Sequence, residues 1–216
     1  VLIIATGGSK VVAYFLKNIL EKRQVITEVI EPRDYFYKPN TQCFKKAIMI
    51  SASGKTNGLD SIINKRKPEL GYENSFICQK TQEKENTTVI SWGQSISFQE
   101  KSFISLSTSL GPMALMLTAE EKEKGNTEIN RLIKALLKQA EEKIAKIKVD
   151  FSHSKILSIL SGYDTEVEEA ILESNLTESG CIAPVIHDKG SFCHGRSNLL
   201  LLDPKSPIIY HQHEEK

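Results

Sequence analysis

The chain has 216 residues, 40% of them hydrophobic and 25% charged, an ordinary balance for a folded protein that buries a core. Its 28 lysines and arginines against 27 aspartates and glutamates leave a formal charge of +1, which argues against a nucleic-acid partner. No apolar run approaches the roughly 20 residues of a bilayer-crossing helix, so no membrane partner is expected; the cysteines Cys43, Cys78, Cys181 and Cys193, without a C-x-x-C motif, read as reduced thiols of the cytoplasm.

Val1–Ile4 is a β-branched run, which reads as a strand closed by the turn Thr6-Gly7-Gly8-Ser9. Val11, Val12, Phe15, Leu16, Ile19 and Leu20 follow at helical spacing. Val25–Ile30 and Ala47–Ile50 are further strands, the second closing at Ser51-Ala52-Ser53-Gly54, with a short helix around Leu59, Ile62 and Ile63. Ser75–Gln79 and Ser102–Leu106 complete a first set of strands, with Gln82–Thr88 as a polar loop between them. Ile129–Ile147 holds helical spacing for about five turns and reads as a connecting helix. A second set follows: a strand at Ile156–Leu160, a helix at Thr165–Thr177 with Thr165 as its N-cap before Glu168, and strands at Ile182–Ile186, Leu199–Leu202 and Ile208–Tyr210. Strands alternating with helices predict an α/β fold with parallel sheets, organised as a first unit over 1–125, a connecting helix over 126–150 and the start of a second, truncated unit over 151–216. A chain that begins with Val1 inside an apolar run is expected to be a fragment.

Two loops share one design: Thr6-Gly7-Gly8-Ser9 and Ser51-Ala52-Ser53-Gly54-Lys55-Thr56 each follow a buried strand, carry small and hydroxylated residues, and open a helix. At the carboxyl ends of parallel strands, backbone N–H groups and hydroxyls of this kind suit a phosphate, and neither loop has the spacing of a Walker A or a G-x-G-x-x-G motif. Further along the chain lie Glu173, Glu178, His187, Asp188 and His194-Gly195-Arg196. Glu178 falls near a helix end beside Ser179-Gly180, and a carboxylate with an imidazole is the usual equipment for moving protons between carbon and oxygen near neutral pH. His211-Gln212-His213-Glu214-Glu215 has no accompanying ligand at defined spacing, so no metal site is expected.

Together these residues resemble the sugar isomerase (SIS) domain family. Its S-x-S-G-x-T motif is matched by Ser51, Ser53, Gly54 and Thr56, and its first glycine loop by Thr6-Gly7-Gly8-Ser9. A later loop resembles Leu106-Ser107-Thr108. The resemblance implies a three-layer, flavodoxin-like parallel-sheet fold in tandem units, and makes Gly8, Ser9, Ser51, Ser53, Thr56 and Ser107 the phosphate-binding residues. It also implies that Glu178, sixteen residues before His194, moves a proton between C1 and C2 of a sugar phosphate, and that His194 assists ring opening from a neighbouring subunit of a homodimer, with no cofactor. Arg196 stands where the isomerase branch has proline and Asn175 where it has lysine; Glu173, Ser174, Asp188, Phe192, His194 and Arg196 match a divergent branch with an H-G-R sequence, in which Glu173, Asp188 and Arg196 are accessory candidates. Two functions follow: an aldose–ketose isomerase acting on a sugar phosphate, or a phosphosugar sensor without turnover.

Overall fold

The structure is a computed structural model that describes residues 1–78, 83–84, 87–91, 131, 135, 138–139, 142–143, 145–146, 154–162, 165–180, 182–198, 201 and 204–210. The chain divides into two compact units, Val1–Met113 and Ala114–Lys216.

In the first unit β1 (Leu2–Ile4) leads through α1 (Ser9–Lys22) to β2 (Glu28–Ile30). A short helix α2 (Asp34–Tyr37) and a 3-10 turn (Pro39–Cys43) lead to β3 (Lys46–Ile50), followed by α3 (Leu59–Lys65), β4 (Glu73–Cys78) and β5 (Thr88–Ser91). All five strands are parallel in the order β2-β1-β3-β4-β5. The crossover through α1 moves to one side of β1 and that through α3 moves the other way from β3, so right-handed connections put the two helices on opposite faces. Hence β1 is buried on both faces: Leu2 and Ile4 pack with Met49, Leu59, Ile62 and Phe76, while Ile3, on the reverse, is equally enclosed.

Arg66, fully buried just past α3, closes the opposite end of this core. Its Nε donates to Asn74 Oδ1 (2.9 Å) and its Nη2 to the carbonyls of Phe44 (2.8 Å) and Lys45 (2.9 Å), and its guanidinium lies 4.4 Å from the Tyr72 ring centroid. The cation thus ties the start of β3 to the start of β4.

In the second unit β6 (Ile156–Ser161) leads through α4 (Glu166–Ser179) to β7 (Ala183–Asp188), then through a five-residue helix α5 (Lys189–Cys193) and a 3-10 turn (Arg196–Asn198) to β8 (Ile208–Tyr210). The sheet is parallel in the order β7-β6-β8. Leu157, Ile159 and Ile182 form its core with Leu172 and Leu176 of α4. Order of elements and order of strands both repeat those of β1 through β3, down to helices of 14 residues in α1 and α4 and a short helix after the second strand. The predicted parallel α/β fold in tandem units is the observed one.

Three local expectations change. Thr88, expected to end the polar loop Gln82–Thr88, instead opens a strand, Thr88–Ser91, whose Val89 packs on the core beside β4. Leu201, the one described residue of the expected strand Leu199–Leu202, is helical and exposed; a four-residue apolar run does not separate the two states. Thr165 precedes α4 as expected, yet its hydroxyl bonds the Glu169 carboxylate and the Gly162 carbonyl rather than a backbone N–H, so the box with Glu168 does not form. Arg131, Ala135, Lys138, Gln139, Glu142 and Lys143 are helical, as the 129–147 spacing predicts, and Ser102–Leu106 lies outside the described residues. No helix among the described residues is long and apolar enough to cross a membrane.

Candidate functional site

Where neighbouring strands send their crossovers in opposite directions, the loops at their carboxyl ends part and leave a crevice. In the first unit that point lies between β1 and β3, and the loops flanking it are Thr6–Ser9 and Ser51–Thr56. Both hydroxyl loops singled out in the sequence therefore stand at the place where this topology binds ligands.

The second loop is held by its own side chains. Ser51, 2% exposed, sits at the end of β3, its N–H bonded to the Ile77 carbonyl of β4 (3.0 Å). Its Oγ accepts the Gly54 N–H (3.1 Å) and lies 2.7 Å from Thr56 Oγ1. Ser53 Oγ accepts the Lys55 N–H (3.2 Å). Gly54 has φ +70, a left-handed conformation costly for any residue with a Cβ, which explains the glycine of the motif. Two hydroxyls facing each other hold two protons and consume one. Whichever of Ser51 and Thr56 donates, one O–H of the pair remains for a ligand acceptor, and Thr56 is the more exposed of the two.

The first loop turns at Gly7 (φ +55) into Gly8, which is already helical and half-buried before Ser9 begins α1. The N–H groups of Ser9, Lys10 and Val11 bond back to the Thr6, Gly7 and Gly8 carbonyls (3.3, 2.9 and 3.3 Å). Lys10 pairs with Glu31 past the end of β2, tying the rim together. Gly58, ahead of α3, brings its Cα against the same β2 loop: a Cβ there would lie 3.5 Å from Pro32 Cβ. Ser107 lies outside the described residues.

In the second unit β7 delivers His187 and Asp188 to the same kind of rim. His187 is 2% exposed, its ring 5.3 Å from that of Phe192, and neither ring nitrogen has a hydrogen-bond partner among the described residues. Burial, then the Arg196 guanidinium, lower the pKa of this imidazole, against a smaller opposing pull from Asp188. Asp188 caps α5, its Oδ1 accepting the Ser191 N–H at 2.7 Å, and hydrogen bonding from the Ser191 side chain first, then from that N–H, holds the carboxyl below the usual aspartate range. His194 and Arg196 are both exposed beyond the end of α5.

Glu178 stands in the last turn of α4, before the left-handed Gly180; its side chain lies outside the description. Glu173 is exposed on the same helix, next to the buried Ser174. Because α4 runs antiparallel to the strands it joins, its last turn lies at the rim where β7 starts, and His194 follows the rim where β7 ends. Six strand residues separate the rims by about 20 Å. The structure thus brings Asp188, His194 and Arg196 into one loop and leaves Glu178 at the other end of the same sheet. What the sequence reading missed is the role of Gly190 and Ser191 in that loop; an aspartate two and three residues ahead of a Gly-Ser pair is the signal that marks the cap.

No group of three or more histidine, cysteine, aspartate or glutamate side chains among the described residues is placed to hold a metal ion. No protein-family profile and no curated protein matches the chain. Solved structures do. A candidate phosphosugar isomerase of Clostridium difficile 630 superposes with a TM-score of 0.70 at 16% identity, over 100% of this chain and 66% of that one. Tagatose-6-phosphate ketose/aldose isomerase from Escherichia coli gives 0.63 at 16% identity, over 97% and 61%. The C-terminal domain of glucosamine-fructose-6-phosphate aminotransferase from Francisella tularensis gives 0.61 at 19% identity, over 97% and 63%. This chain therefore spans about two thirds of the length of those structures. Parallel sheets in both units and superposition over nearly the whole chain on such proteins give one conclusion: the fold is that of the SIS domains.

Proposed function

We propose that the chain binds a phosphorylated sugar in the crevice between β1 and β3 and serves its interconversion between aldose and ketose forms. The observation that carries the reading is the pair of small-residue loops at the one point of the first sheet where neighbouring crossovers diverge. Gly8 and Ser9 form one wall, Ser51, Ser53 and Thr56 the other, and the spare O–H of the Ser51–Thr56 pair donates to a phosphate oxygen; Ser107 is proposed as a further ligand. Anchoring the phosphate lets binding energy remote from the reacting carbons orient C1 and C2. Glu178 then takes the C2 proton of the open-chain aldose and the electron pair moves onto O1 as the enediolate forms; a proton passes from O2 to O1, the C2 carbonyl forms, and the carboxyl returns its proton to C1; His194 gives a proton to the ring oxygen as the ring opens and takes it back as the ring closes. Within one unit Glu178 and His194 stand at opposite ends of β7, so the reading calls for a homodimer in which each copy lends His194 to the other's site. No metal or nucleotide has a part in these steps.

The second reading, a phosphosugar sensor without turnover, is favoured by Asn175 and Arg196, which replace the lysine and proline of the isomerase branch. Both readings are tested by a thermal-shift panel of hexose and pentose phosphates, their amino forms and the free sugars, followed by NMR of each stabilising sugar in deuterated buffer. Stabilisation by a sugar phosphate with exchange of its C2 proton is the expected result. Stabilisation without exchange makes the protein a sensor, and no stabilisation by any sugar phosphate refutes both.

A further inference from the structure

We infer that Asp188 is a positioning residue for His194, acting through the helix α5 that it caps, and that position 190 is glycine so that the cap can close. The inference rests on the reading of His194 as a group that meets the substrate. Asp188 ends β7 with extended backbone (φ −66, ψ 146) and its Oδ1 accepts the Ser191 N–H at 2.7 Å. A Cβ on Gly190 would stand 3.2 Å from that same Oδ1, tighter than ordinary contact, so a side chain there requires the carboxylate to shift by a few tenths of an ångström against its donor. One turn further on, Phe192 is buried against the His187 ring, which fixes the underside of the helix to β7. The His194 N–H bonds back to the Gly190 (3.1 Å) and Ser191 (3.2 Å) carbonyls, and Gly195 turns the chain away with φ +106. Five consecutive features of one segment therefore hold a single exposed imidazole at the end of five helical residues, a length far below the 12–15 or so at which a helix holds itself.

The fold supplies its own control. The repeat places α2 after β2 as it places α5 after β7, yet Arg33 at the start of α2 is helical (φ −61, ψ −44), makes no side-chain cap, and no glycine follows within the helix. The bracket is thus not a by-product of the repeated architecture; it belongs to the copy that carries the histidine.

The test uses the full chain and the variants Asp188→Ala, Asp188→Asn, Gly190→Ala and Asp188→Ala/Gly190→Ala. Two readouts are taken: amide exchange of Ser191–His194 with the His194 ring resonances by NMR, and kcat and KM on the sugar phosphate that gives C2 exchange. Asp188→Ala is expected to speed exchange of the Ser191 amide about fivefold, shift the His194 ring signals, and lower kcat by ten- to a hundredfold, roughly the cost of a small misplacement, with KM nearly unchanged. Asn, which also caps, restores the ring signals and most of kcat. Gly190→Ala is expected to mimic Asp188→Ala and to add nothing in its presence. Unchanged Ser191 exchange and His194 signals in Asp188→Ala, or Gly190→Ala and Asp188→Ala effects that simply add, overturn the inference. A wild-type protein without turnover refutes the isomerase reading instead, and the NMR arm still decides the bracket.

Discussion

If the Ser51–Thr56 pair leaves one hydroxyl proton for the ligand, the two residues must divide their effects between folding and binding. Thr56→Val keeps the shape and removes the outer hydroxyl. Ser51 Oγ retains the Gly54 N–H as a partner at 3.1 Å, so folding loses one ordinary hydrogen bond, about 0.5–1.5 kcal/mol. A phosphate oxygen loses a hydrogen bond to a charged acceptor, about 1.5–3 kcal/mol, which is about 10- to 150-fold in Kd. Ser51→Ala works the other way. It removes two hydrogen bonds, those of Ser51 Oγ to the Gly54 N–H and to Thr56, costing the fold about 1–3 kcal/mol although the Gly54 N–H keeps the Ser51 carbonyl (3.2 Å), while Thr56 keeps a proton to donate from a less fixed position. Urea midpoints and calorimetric titration with the sugar phosphate that stabilises best in the panel separate the two quantities. Thr56→Val with a Kd within twofold of wild type refutes the assignment of the spare proton to the ligand, and so does a Ser51→Ala protein that is more stable than Thr56→Val.

Protonation of His187 is predicted to destabilise the second unit. Its folded pKa lies below the ordinary imidazole value of about 6.5, so between the two values the unfolded chain holds a proton that the folded one lacks; stability is full above that value and falls as pH drops through the window. Urea midpoints between pH 7 and 5 should decline accordingly and His187→Phe should remove that part of the slope; a rising midpoint on acidification contradicts it. Arg196→Gln should raise the His187 pKa, measured by NMR titration, without bringing it to the ordinary value, because burial is the larger cause. Arg66→Met should cost about 3 kcal/mol, since it removes three hydrogen bonds from a charged donor, those to the Phe44 carbonyl, to Asn74 Oδ1 and to the Lys45 carbonyl, which keeps the Glu73 N–H (2.9 Å); a loss below about 1 kcal/mol by urea unfolding refutes the staple.

The parts of this fold that could be read in advance are those where one residue type has one local use. Leu2-Ile3-Ile4 is apolar at every position because β1 is covered on both faces, and Ser51, Ser53, Gly54 and Thr56 are spelled out because each makes a bond or a turn within six residues. What escaped depends on partners distant in sequence. Thr88–Ser91 is too short to show a period and becomes a strand because β4 is there to pair with it. Arg66 looks like any charged residue until Phe44, Lys45, Asn74 and Tyr72 enclose it. Helix α5 has no apolar stripe, and only the contact of Phe192 with His187 and the cap from Asp188 give it a reason to form.

Glu178 and His194 raise a harder question, because they lie sixteen residues apart in one chain and the βαβ geometry sets them at opposite ends of β7. A crossover helix ends where its second strand begins, so any residue in the last turn of α4 is one strand length from any residue just past β7. Running α5 back along the sheet recovers at most about 8 Å of the roughly 20 Å, at 1.5 Å per helical residue. In the proposed reading a site that uses both residues draws them from two copies, and that has a quantitative consequence. Glu178→Gln and His194→Asn homodimers are each expected to show no C2 exchange while binding sugar phosphate nearly as wild type. In a mixed dimer one of the two sites pairs an intact Glu178 with the intact His194 of the other subunit. Unfolding and refolding the two variants together in equal amounts should pair them at random, half as mixed dimers, and restore about a quarter of wild-type exchange, since an isologous interface gives each copy both roles. Two inactive variants that stay inactive after mixing, though shown to form mixed dimers, would refute the shared site and leave Glu178 or His194 without a place in the reaction.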